Sequence, residues 1–135
     1  MQWATFGESK SREYTYSYDD LSRLISGNYL ENGTSSTNYS TSYVYDKVGN
    51  ITSLIRHGAT GTTTFGTIDN LTMSYNGNQL IKADDSGESV SLSSSMDFKD
   101  GANASVEYFY DANGNLTKDL NKGIMNISYN LLNLP

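Results

Sequence analysis

Tyr108-Phe109-Tyr110-Asp111-Ala112-Asn113-Gly114-Asn115-Leu116 decides how the rest of the chain is read. Tyr108 and Tyr110 stand two apart, so a pleated strand puts both rings on one face. Asp111 can accept a hydrogen bond from the backbone amide two residues on, which starts a turn. Gly114 supplies the positive φ that closes a short hairpin loop, and Leu116 resumes the apolar pattern. The same pattern stands earlier as Tyr43-Val44-Tyr45-Asp46-Lys47-Val48-Gly49-Asn50-Ile51. In both copies the second Tyr is followed by Asp, by Gly four on, by Asn five on and by an aliphatic residue six on. A nine-position pattern written twice is an internal repeat.

Weaker copies lie around these two. Tyr18-Asp19 keeps the start, and Leu24 keeps the aliphatic position, but Ser22 and Arg23 replace Gly and Asn. That turn is expected to be more strained. Tyr75-Asn76-Gly77 is a shortened copy, whose Asn-Gly pair predicts a type I′ hairpin turn. Tyr129 opens a last, partial copy. The anchors Tyr18, Tyr45, Tyr75, Tyr110 and Tyr129 are 19 to 35 residues apart, a variable-length repeat and not a rigid solenoid. The structural repeat residues are therefore Tyr18, Asp19, Tyr45, Asp46, Gly49, Asn50, Tyr75, Asn76, Gly77, Tyr110, Asp111, Gly114, Asn115 and Tyr129.

Between the anchors, period-two alternation predicts strands over 14–18, 24–30, 41–45, 51–56, 68–75 and 78–82, and again at Val106, Tyr108 and Tyr110 and at Met125, Ile127 and Tyr129. Gly27 marks a bulge. The polar run 31–40, with Asn32-Gly33 as a turn signal, and the Gly/Thr-rich run 58–66 are expected as loops. Asn121-Lys122-Gly123 is expected to turn a hairpin. No segment sustains a helical period. The fold class is all-β: an antiparallel hairpin meander forming a single segment over 1–135, with repeats near 14–30, 43–56, 71–83, 106–120 and 125–135.

Composition narrows the function. With 9 Lys+Arg against 15 Asp+Glu, the net charge of -6 argues against nucleic acid or an anionic membrane as the main partner. The absence of Cys excludes disulfides and thiolate metal sites. No run is long and apolar enough for membrane insertion as a helix, and residues 1–8 do not read as a secretory signal. The sequence stops at Pro135 directly after a patterned strand, so it is expected to be a piece of a longer chain.

The pattern Tyr-x-Tyr-Asp-x-x-Gly-Asn-Ile/Leu resembles the YD repeat of bacterial Rhs proteins, with related shells in insecticidal toxin complexes and teneurins. The resemblance covers Tyr14 to Pro135. It is close at Tyr45 and Tyr110, degenerate at Tyr18 and Tyr75 and partial at Tyr129. The closing residues 127–135 are similar to Rhs proteins of the Bacteroidetes type, just before their core domain. The resemblance implies a curled ribbon of antiparallel β-structure that is part of a hollow β-shell around a C-terminal toxin. It implies a bacterial parent protein that is secreted or on the cell surface. The partners it implies are the rest of that parent chain, its core domain and toxin. The core's acidic self-cleavage residues have no counterpart here, so no catalytic residue is carried over and no enzyme is expected.

No cofactor or metal site is read. The Asp111, Asn113, Asn115 run has calcium-loop spacing, but Gly114 falls at its fourth position and Lys122 at its twelfth, and turn chemistry accounts for the same residues. His57, the only histidine, is expected on a loop with a structural role. Unpaired sheet edges make pairing with a second copy an expectation. A different class of function is also open: an extracellular carbohydrate-binding or adhesin module that stacks glycans on exposed tyrosines.

Overall fold

The computed structural model describes residues 2–4, 6–92 and 95–135. It is all-β and antiparallel. Seven strands, β1 (Gln2–Ala4), β2 (Ser11–Tyr18), β3 (Leu24–Glu31), β4 (Thr34–Tyr45), β5 (Ile51–Ala59), β6 (Phe65–Asn76) and β7 (Gln79–Asp85), form one sheet in sequence order. The stretch 86–107 then leaves the sheet, and β8 (Tyr108–Tyr110) and β9 (Leu116–Asp119) form a separate hairpin. That hairpin stands beyond β7. The Glu107 amide donates to the Ile81 carbonyl at 2.7 Å, and the Leu120 amide donates to the Glu107 carbonyl at 3.0 Å. The strand expected at Met125, Ile127 and Tyr129 does not form: beyond an isolated bridge at Ile124 the segment runs beside β9 on single bonds, such as the Ile127 amide donating to the Thr117 carbonyl at 2.8 Å.

The core is small. Tyr29, Ile68, Leu71 and Ala83 are buried on β3, β6 and β7, and Val90 and Tyr108 are buried beyond them in sequence. Full burial of one such aliphatic side chain contributes about 1.5–3 kcal/mol. Gly58 faces Gly66 across the ladder. A Cβ at 58 would stand 2.8 Å from Ile68 Cδ1, so a larger residue there would displace the most buried aliphatic side chain. Glu107 is also fully buried. Its Oε2 accepts from the Ala83 amide at 3.1 Å and from Asn121 Nδ2 at 2.9 Å, which ties the second hairpin to β7.

Several expectations change. The run 31–40 is not a loop: the chain turns at Asn32-Gly33 and returns at once as β4. Both turn residues have positive φ, 51° and 75°, as a type I′ turn requires. The polarity of 34–40 concealed a strand, because Thr and Ser supply β geometry without an apolar stripe. The ladder is interrupted where Gly27 pairs with Thr41 and Tyr29 with Ser36, which is the bulge expected at Gly27. Ser40 fills that gap, with its Oγ accepting from the Tyr29 amide and donating to the Ser36 carbonyl. Likewise the 58–66 loop shrinks to a turn over 60–64, and His57 lies within β5, half-buried. At 76–79 only Gly77 has positive φ, so the turn has the glycine-first pattern of type II′ and is not type I′. No helix among the described residues is long and apolar enough to cross a membrane.

Candidate functional site

In a meander, alternate turns fall on the same edge. The repeat turns therefore line up along one edge of the ribbon. At 46–50 a single carboxylate organises the loop. Asp46 Oδ1 accepts from the amides of Val48, Gly49 and Asn50 at 2.8–2.9 Å, while Oδ2 accepts from Asn50 Nδ2 at 2.8 Å. Gly49 has φ 99°, which a side chain at that position would strain. The 111–115 turn repeats the plan. Asp111 Oδ1 accepts from the Asn113 and Asn115 amides, Oδ2 accepts from Asn115 Nδ2, and Gly114 has φ 85°. The carboxylate that had calcium-loop spacing is thus engaged with its own turn.

The degenerate copy at 19–23 keeps the geometry with other residues. Asp19 Oδ1 accepts from the Leu21 and Arg23 amides, Arg23 Nε reaches Asp19 Oδ2 at 2.6 Å, and Ser22 takes the left-handed position at φ 61°. The copy at Tyr129 goes further than its sequence suggests. Asn130 Oδ1 accepts from the Leu132 and Leu134 amides, and Asn133 has φ 55°. Asn130 stands in for Asp and Asn133 for Gly, and the turn closes with the Asn130 amide on the Leu134 carbonyl at 3.0 Å.

Two kinds of bond join successive turns. The anchor tyrosine of each repeat donates its hydroxyl to the carbonyl of the aliphatic residue that ends the previous turn. Tyr45 reaches Leu24, Tyr75 reaches Ile51, Tyr110 reaches Leu80 and Tyr129 reaches Leu116, all at 2.8–2.9 Å. In the other direction, the position before that aliphatic residue reaches the next turn. Arg23 Nη1 donates to the Asp46 carbonyl, Asn50 Nδ2 to the Gly77 carbonyl and Asn115 Nδ2 to Asn133 Oδ1. Arg23 also lies 4.7 Å from the centre of the Tyr45 ring, a cation–π contact. Tyr18 has no such carbonyl partner among the described residues, and it is 59% exposed. Each pairing of anchor Tyr with aliphatic residue also carries a register irregularity just before the Tyr, which aims the ring along the edge.

The electrostatics follow from these bonds. The Arg23 amide holds the Asp19 carboxyl below its ordinary value, reinforced by the Arg23 guanidinium. Asp46 is pushed up by burial but ends lower, because Asn50 and the turn amides stabilise its charge. Asp111 is held down first by the Asn115 side chain. Burial pushes the Tyr75 and Tyr110 hydroxyls up, so both stay protonated donors.

Two further groupings lie away from the turns. Rings run across the sheet from Trp3 through Tyr14, Tyr29 and Tyr39 to Phe65, with centroids 5.2–5.8 Å apart. Tyr29 is buried, whereas Trp3, Tyr39 and Phe65 are about two-fifths exposed. The second grouping, acidic, was not legible in the sequence. Carboxylate oxygens of Asp69, Asp85 and Asp97 lie within 4.8 Å of one another. Asp69 Oδ2 accepts from Arg56 Nε at 2.5 Å and Oδ1 from the Phe98 amide at 2.8 Å, while Arg56 also donates to the Ser95 and Met96 carbonyls. These bonds hold the stretch 86–107 against β5 and β6. The three aspartates are spread over 69–97, and each reads locally as an ordinary strand-end or turn residue. His57 Nδ1 lies 3.4 Å from the Ser40 carbonyl oxygen.

No protein-family model, curated protein or solved structure matches this chain.

Proposed function

We propose that the chain is a non-catalytic structural segment of a YD-repeat shell of the Rhs type, a curled ribbon whose parent protein is secreted or displayed at the bacterial surface and encloses a C-terminal toxin. The observation that carries this reading is the four-times-repeated link from an anchor tyrosine hydroxyl to the previous turn. A chain built for one binding or catalytic event has no need of the same bond at every second turn. A ribbon built to be extended does. The partners are then the rest of the parent chain, and the sheet edges offer pairing to a second copy. The test is to read the gene on both sides of this sequence. Further Tyr-Asp-x-x-Gly-Asn repeats upstream, and a core domain followed by an unrelated C-terminal segment downstream, are expected. An open reading frame with neither would overturn the proposal.

A second reading has its own support in the partly exposed ring row of Trp3, Tyr39 and Phe65, which is a stacking platform for sugars. A glycan array with the parent chain and a Trp3→Ala/Tyr39→Ala variant separates the two. Binding that the variant loses favours an adhesin. An array without signal removes that reading.

A further inference from the structure

We propose that Asp69, Asp85 and Asp97 form a binding site for a hard divalent cation, with Ca2+ as its probe. Their oxygens lie within 4.8 Å of one another, so a small inward shift of the side chains brings all three within the 2.3–2.6 Å reach of one bound ion. The second, independent observation is Asp97 itself. Its side chain is only 4% exposed, yet its Oδ1 is buried with no hydrogen-bond partner among the described residues. Its other oxygen is occupied, accepting from the Val90 amide at 3.1 Å and from Lys99 Nζ at 2.5 Å. A buried carboxylate oxygen without a donor is costly, and among the described residues Asp97 Oδ1 and Glu107 Oε1 stand so; of the two, only Asp97 belongs to an acidic cluster.

The charge balance points the same way. Arg56 offsets Asp69 and Lys99 offsets Asp97, which leaves Asp85. A surface cleft of about 290 Å3, lined by Asp85, Asp97, Glu88 and Asp100, adds carboxylates and gives an ion its route in. Oxygen donors without nitrogen or sulfur select hard ions. Bound there, the ion joins β6 through Asp69, the end of β7 through Asp85 and the 86–107 crossing through Asp97. The competing occupant of Asp97 Oδ1 is a proton, which Ca2+ titration distinguishes.

The experiment is thermal melting of the EDTA-treated, dialysed chain titrated with CaCl2, against an NaCl series of matched ionic strength. A saturable rise in Tm is expected, roughly 5 °C at ten times the dissociation constant. Asp97→Asn should abolish the rise. Lys99→Met, which changes a largely exposed side chain and removes the competing ammonium, should tighten apparent Ca2+ binding several-fold. A wild-type Tm that Ca2+ moves no more than NaCl does would overturn the site. So would a Lys99→Met chain with unchanged Ca2+ dependence, which keeps the test valid even where Asp97→Asn fails to fold.

Discussion

The two edges of this ribbon are built on different rules. On one, the turns at 19–23, 46–50, 111–115 and 130–134 share a size, a carboxylate or amide acceptor and a left-handed fourth residue. On the other, the connection runs from the two residues Asn32-Gly33 to the long excursion 86–107. The uneven spacing of the anchor tyrosines is absorbed by these connections and by strand length, β4 having 12 residues and β8 having 3. Four of the five turns that touch their neighbours stay alike, the two-residue turn after Asn76 being the exception, and connections that touch no equivalent are free to grow. The long excursion adds Val90 to the buried side chains and is held to β5 and β6 through Arg56 and Asp69.

The largest expected break is on the variable edge. Glu107→Ala removes the acceptor of two buried donors, the Ala83 amide and Asn121 Nδ2, and should lower stability by about 3 kcal/mol in urea melts. Amide exchange should show β8–β9 opening first; a uniform loss across the sheet would count against a local latch. On the uniform edge, Gly49→Ala forces a side chain into φ 99° and should lose about 1–2 kcal/mol. Tyr75→Phe deletes one turn-to-turn bond and should lose about 1 kcal/mol, whereas Tyr18→Phe, with no carbonyl partner among the described residues, should stay within about 0.5 kcal/mol of the parent. Equal losses at the two positions would show that the ring, not the hydroxyl, matters. Ser22→Gly relieves φ 61° and should gain about 0.5–1 kcal/mol.

The smallest effect is acid sensitivity. Asp19, Asp46 and Asp111 sit below their ordinary 3.8 in the folded chain, so the folded state holds those protons less tightly than the unfolded one. Their contribution is present above that value and drains away as pH falls through the lowered ones. Asp46→Asn should keep its turn, because Asn130 already fills the equivalent place with an amide. It should also flatten the acid limb of the stability curve, and an unchanged limb would show that Asp46 gives nothing to it.

The uniform edge was legible in the sequence and the variable edge was not, for a physical reason. Tyr, Asp and Gly at fixed offsets encode a local turn, and locality is what a sequence displays. Asn130 and Asn133 escaped notice because the same backbone can be met by substitutes, an amide for a carboxylate and an Asn in the left-handed region. Strand 34–40 was hidden because its partner β3, across the Asn32-Gly33 turn, and not its own polarity pattern, makes it a strand. The Asp69, Asp85 and Asp97 cluster depends on where 86–107 lands, which no periodicity announces.

The tyrosine links also give the ribbon a direction in time. Each turn is sealed by a residue that emerges later from the ribosome: Leu24 waits for Tyr45, and Ile51 for Tyr75. Nearest-neighbour coupling of this kind behaves as a one-dimensional Ising chain, in which interior units are held from both sides and terminal ones from only one. Links of this kind can form as the chain is synthesised, each waiting only for the next repeat. The ribbon should also melt by fraying from its ends inward.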